Sequence, residues 1–162
     1  MAPKKILFCT DFSENSEPAR EVALDYAKAF GAELLIIHVI HTMTFSGFEN
    51  WLGDEIKRIV ALTEEEALAR LQKLAEECRQ QVTSVKTLCH IGLAPYEIAK
   101  VAAQESADLI VLGTHGLTGV KHLVMGSVAR SVLRMAHRPV LIVEGPPGKG
   151  ESSGEPYEFP VP

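Results

Sequence analysis

Residues 109–130 read Leu-Ile-Val-Leu-Gly-Thr-His-Gly-Leu-Thr-Gly-Val-Lys-His-Leu-Val-Met-Gly-Ser-Val-Ala-Arg. The apolar run Leu109 to Leu112 gives way at once to a glycine-rich stretch, and Ser127 to Ala136 then reads as a helix. A short, continuous apolar run bounded by turn residues fits a strand buried on both faces. Strand, glycine loop and helix in that order form the repeating unit of a parallel sheet, whose ligands bind beyond the carboxyl ends of the strands.

The same alternation extends in both directions. Ile6 to Cys9 is a first apolar strand, and Ser16 to Phe30 carries Ala19, Val22, Ala23, Tyr26 and Ala27 at helical spacing, with Pro18 near its start and Gly31 after its end. Glu33 to Ile40 (ELLIIHVI) is a second strand. His41 to Gly53 has no assignable period and reads as a mobile loop, and Asp54 to Gln81 as a long helix with Leu68, Leu71, Leu74 and Cys78 on one face. Val85 to His90 is a third strand, Tyr96 to Glu105 a short helix after Pro95, and Pro139 to Val143 a fifth strand. The expectation is an α/β fold: one domain over 1–144 with a five-stranded parallel sheet, doubly wound by helices on both faces. Residues 145–162, rich in Pro, Gly and Glu, read as a flexible tail.

Bulk properties narrow the function. A domain of 162 residues buries about 70% of its unfolded surface and needs no staples. A net charge of −5 argues against a broad nucleic-acid surface, which draws on clustered Lys and Arg. Cys9, Cys78 and Cys89 are odd in number and lack CxxC spacing, as expected of buried reduced thiols. No apolar run reaches the ~18 residues of a membrane span, and the first residues resemble no secretory leader, so the expected location is cytoplasmic with no membrane partner. The six histidines fall on different elements without metal-ligand spacing, so no dedicated metal site is expected.

The glycine stretch has the skeleton G-x2-G-x9-G-S over Gly113, Gly116, Gly126 and Ser127. Glycines let backbone approach a phosphate and adopt positive φ, so that successive N–H groups converge on it. Gly126 and Ser127 open a helix, where unpaired donors and the dipole favour an anion. The Ser127 hydroxyl can bond a phosphate or ligate Mg2+. The alternative is that the glycines only shape turns and Ser127 only caps the helix. The stretch is not a P-loop, since no Lys precedes the hydroxyl residue, and no GxGxxG follows the first strand. That strand ends instead in Thr10–Asp11, whose carboxylate can accept from a ribose hydroxyl or an adenine amine, or cap the helix that starts near Ser16.

Taken together, G-x2-G-x9-G-S, the following helix, the terminal PVLIV strand and the N-terminal ILFCTDFSENS segment resemble the ATP-binding branch of the universal stress protein family, over Lys4 to about Glu144. The resemblance implies a Rossmann-like fold of the adenine-nucleotide alpha hydrolase type. It implies ATP with Mg2+ as ligand, adenine and ribose near Thr10, Asp11 and Val39, a further sugar contact at Gly113, and phosphates along Gly116, Gly126, Ser127 and Val128. It also implies a homodimer through Pro139 to Val143. One departure is Leu117, where many relatives carry Arg; positive charge near the phosphates then falls to Lys121, His122 or Arg130. Phosphoryl-transfer catalysis needs a positioned base, a metal cluster and phosphate-stabilising cations, so a nucleotide-responsive signalling or stress module is expected rather than a robust enzyme. The competing readings are a nucleotide-free interaction scaffold and a slow ATPase or autokinase modifying Thr114, Thr118 or Ser127.

Overall fold

Alternate residues of Lys5–Cys9 (β1) go to opposite sides of the sheet, and each side carries its own core. A computed structural model describes residues 2–41, 49–114 and 125–145, with side chains throughout these stretches except in 49–60. The remaining elements are Glu17–Phe30 (α1), Glu33–Ile40 (β2), Glu49–Arg79 (α2), Val85–Ile91 (β3), Ala94–Gln104 (α3), Leu109–Gly113 (β4), Ser127–Met135 (α4) and Val140–Val143 (β5). The five strands are parallel in the order β3-β2-β1-β4-β5. Ile6 and Phe8 pack with Leu34, Ile36 and the buried sides of α1 and α2; Leu7 and Cys9 pack with Leu35, Ile37, Ile110 and the buried sides of α3 and α4. This is the doubly wound arrangement expected from the apolar strands.

Local chemistry explains the helix ends. α1 has Pro18 in its first turn and stops at Gly31, whose φ of +61° is left-handed. Ala32 N–H bonds Ala27 O and Gly31 N–H bonds Lys28 O, closing a Schellman motif. α3 ends the same way through Ser106 and α4 turns left-handed at His137, both non-glycine residues with positive φ. At the opposite end of the sheet, Asp108 Oδ2 accepts from the N–H groups of Lys4 and Lys5 at 2.8 and 3.0 Å. These bonds to the approach to β1 hold the Asp108 carboxyl below the usual carboxylate range.

Two expectations are corrected. Glu49 to Gly53 belongs to α2 rather than to the preceding loop, because a long helix absorbs one interior glycine at about 1 kcal/mol. The buried face of α2 is Ala67, Leu71, Ala75 and Cys78, with Leu74 partly buried, while Leu68 is exposed. The small alanines let the helix approach the sheet, and the apolar count alone had favoured Leu68. Residues 42–48 of the expected loop and 146–162 of the expected tail lie outside the described residues. Cys9 and Cys78 are buried and Cys89 half-buried, and burial raises all three thiols above their ordinary value.

Candidate nucleotide site at the β1/β4 switch point

The sheet opens where its order reverses. β1 and β4 run side by side to the partners Phe8 and Val111. Beyond that level β1 stays with β2, through Cys9 and Ile37 and a 3.0 Å bond from Thr10 N–H to Ile37 O. β4 stays with β5, through Gly113 and Val143 and a 2.9 Å bond from Thr114 N–H to Val143 O. The two strands therefore part into a crevice at the carboxyl edge, the position that open α/β sheets use for ligands. Thr10 and Asp11 form one lip, with half-buried Val39 two residues past Ile37 beside them; Gly113 lies on the other lip.

The β4 lip leads into the helix N-terminus. Gly126 N–H donates to Thr114 O at 2.9 Å, which ties the end of β4 to the start of α4. Gly126 is the N-cap of α4 and has no side chain with which to cap it. Ser127 is thus the first helical residue and not its cap; it and Val128 are exposed. Gly126 has φ −54° and ψ 152°, so the positive φ expected of the loop glycines is not used at this position. The first-turn N–H groups of α4, given no acceptor by their glycine N-cap, and the exposed Ser127 hydroxyl suit an anion. Arg130 adds a cation, its Nη2 held 3.2 Å from Met125 O next to Gly126. Gly116, His115, Leu117, Thr118, Lys121 and His122 lie outside the described residues.

The β1 lip is a closed hydrogen-bond circuit. Ser16 Oγ donates to Ser13 O at 2.8 Å, so the Thr10 hydroxyl, 3.1 Å away, donates to Ser16 Oγ and accepts Phe12 N–H at 2.9 Å. Thr10 is buried, and its hydroxyl serves the loop. Asp11 Oδ1 accepts both Ser13 N–H at 3.0 Å and Ser13 O–H at 2.6 Å, an Asx turn that orients the carboxylate. His38 Nδ1 lies 2.9 Å from Thr10 O, and since a carbonyl can only accept, the proton is on Nδ1. Burial lowers the His38 pKa, and the nearby Arg70 lowers it further; the Thr10 bond and Asp11 pull the other way. Phe12 has φ +61°, an outlier for a bulky residue that costs on the order of 1–3 kcal/mol.

Of the residues singled out in the sequence, Thr10, Asp11, Val39, Gly113, Gly126, Ser127 and Val128 converge on this edge. Phe12, His38, Ser16 and Arg70 were not foreseen there. The only available signal was the spacing of Ser13 and Ser16 after Asp11, typical of side chains that bond nearby backbone. Among the described residues, no group of three His, Cys, Asp or Glu side chains could hold a metal ion.

A sequence model of the universal stress protein family matches residues 3–144. The chain is 37% identical to universal stress protein MJ0531 of Methanocaldococcus jannaschii over 146 residues, 88% of this chain and 83% of that protein. The solved structure of MJ0577 from the same organism, the subject of a structure-based assignment of biochemical function, superposes with a TM-score of 0.72 at 32% identity, covering 89% of this chain and 97% of the other. A universal stress protein solved in complex with cAMP shares the fold with a TM-score of 0.65 at 23% identity, over 88% and 98% of the two chains. The sequence match over residues 3–144 agrees with the five-stranded parallel sheet: the chain belongs to the universal stress protein family.

Proposed function

We propose that this protein binds ATP with Mg2+ in the β1/β4 crevice and acts in the cytoplasm as a nucleotide-responsive module of the stress response. The observation that carries the reading is the parting of β1 and β4, with the oriented Asp11 carboxylate on one lip and the N-terminus of α4, whose N-cap is a glycine, on the other. A nucleotide has matching chemistry, with hydroxyl and amine donors at one end and anionic phosphates at the other. In this reading Asp11, Thr10 and Val39 line the base and sugar with Gly113, while Gly116, Gly126, Ser127 and Val128 face the phosphates. Mg2+ neutralises phosphate charge, and the Ser127 hydroxyl is the side chain placed to meet it. That a family member of this fold is known in complex with cAMP supports an adenine nucleotide as the ligand class.

The test is thermal unfolding with and without millimolar ATP and Mg2+. At ATP about 100 times its Kd, linkage adds roughly 2.7 kcal/mol, which raises the midpoint by roughly 5–10 °C. The control is Gly126→Val. Its φ and ψ admit valine, so this variant folds while its side chain intrudes on the phosphates and the shift is lost. No shift in the parent moves the reading to a nucleotide-free scaffold. Slow hydrolysis or autophosphorylation is judged with Asp11→Ala: turnover that survives the loss of binding comes from a contaminant.

A further inference from the structure

Phe12 follows Asp11 and is held through both its ring and its backbone. Its ring centroid lies 4.3 Å from that of His38 at an interplanar angle of 31°, and Arg70 Cζ lies over the Phe12 ring, 4.3 Å from its centroid. Arg70 Nη2 also donates to Phe12 O at 3.3 Å, and Phe12 N–H is taken by Thr10 Oγ1. These contacts come from three elements: His38 near the end of β2, Arg70 on α2, and the loop after β1. They hold a backbone conformation that phenylalanine disfavours on its own. Asp11 lies on one side of Phe12 and Ser13, which donates twice to Asp11 Oδ1, on the other. If Phe12 relaxed to negative φ, the Ser13 donors would swing away and the carboxylate would lose its aim.

We infer that Phe12, held by His38 and Arg70, is a positioning residue for Asp11, and that Arg70 thereby makes α2 part of the nucleotide site without touching the ligand. The inference rests on the reading that Asp11 contacts the nucleotide. Strained residues persist where the surroundings over-determine them, and such strain clusters at ligand clamps and switches. A further consequence follows from linkage: closure of the clamp and nucleotide binding favour each other, so a displacement of α2 lowers affinity, and bound nucleotide holds α2.

The experiment measures Kd for ATP by titration calorimetry and the ligand-free unfolding midpoint, for the parent, Phe12→Leu, Phe12→Tyr and Arg70→Lys, each with Asp11 intact and as Asp11→Asn. Phe12→Leu keeps apolar bulk without the ring and is expected to weaken ATP by about tenfold. Arg70→Lys keeps the charge but loses the planar stack, for about threefold. Phe12→Tyr restores parental affinity within about twofold. In the Asp11→Asn background Phe12→Leu and Arg70→Lys add less than about twofold, because residues acting through one carboxylate are not additive. Equal losses in both backgrounds, or parental Kd in every clamp variant, overturn the inference while leaving the nucleotide reading intact. Failure of the parent to bind ATP overturns both. If Phe12→Leu does not fold, the exposed Arg70→Lys decides alone.

Discussion

His90 Nδ1 lies 2.9 Å from Glu97 Oε2, joining the end of β3 to the first turn of α3 through a carboxylate that is almost fully buried. Lys100 Nζ approaches the same oxygen at 3.3 Å. Gly92 makes room for this carboxylate: its φ is +152°, and a Cβ there would meet Glu97 Cγ at 3.2 Å. The His90 bond is the main cause that holds the Glu97 carboxyl below its ordinary value of 4.5, against burial, which raises it. Glu97→Ala strands His90 and is expected to cost about 1–3 kcal/mol of unfolding free energy at pH 7 in a urea titration. A depressed carboxyl contributes stability that is present above the ordinary value and lost as pH falls through the folded one. The gap between parent and Glu97→Gln should therefore close in acid, below about pH 4.5.

His38 acts in the same direction at milder pH. Its pKa is lowered mainly by burial from an ordinary value of 6.5, so the unfolded chain binds the proton more readily. The stability is present above 6.5 and is lost as pH falls through the depressed folded value. The charged groups facing His38 are Asp11 and Arg70, of opposite sign. Unfolding at pH 7.5 and pH 5.0 should show a larger loss for the parent than for His38→Gln, which has no proton to take up.

Arg130 separates phosphate recognition from recognition of the base. With its guanidinium at Met125 O beside the start of α4, Arg130→Ala should weaken ATP by about fivefold, or roughly 1 kcal/mol for one exposed charge. Adenosine, which lacks the phosphates, should change less than twofold. Equal losses for both ligands would put Arg130 outside the phosphate site.

We propose that the homodimer implied by the family resemblance pairs through β5, the last strand in the sheet order. Pro139 O accepts from Ile110 N–H and Val143 O from Thr114 N–H, so the intervening Val140 and Ile142 turn their N–H groups outward. All four residues of β5 are partly exposed, and Leu133 and Met135 of α4 are exposed as well. A strand edge with outward N–H groups is a template for strand pairing. Ile142→Pro removes an outward donor while sparing the bonds to β4. Analytical ultracentrifugation should find the parent dimeric and this variant monomeric and folded; a dimer that survives the proline pairs elsewhere.

The architecture was legible because its strands are buried on both faces. Glu33 to Ile40 is recognisable by eye as one apolar run and forms β2 without the loss of a residue. Pro18 and Gly31 bracket α1 for reasons that belong to the backbone of those two residues. Ser106 and His137 reach the same left-handed turn at the ends of α3 and α4 with no such mark, since neither is a residue type that signals positive φ as glycine does. At the site, the glycine skeleton and Asp11 were visible as local pattern. The Phe12 clamp was not, since its members come from a loop, a strand and a helix, and His38 reads as one more residue of an apolar strand. Leu68 misled because periodicity locates a face without saying which residues lie at its centre.

The bond from Gly126 N–H to Thr114 O bears on how this protein can be varied. It ties the end of β4 to the residue before α4 through backbone atoms alone, so the strand and the helix keep this link whatever side chains stand between them in the sequence. Substitutions between Thr114 and Gly126 should therefore alter ligand preference at almost constant stability, so that related chains can diverge in what they sense while keeping one chassis.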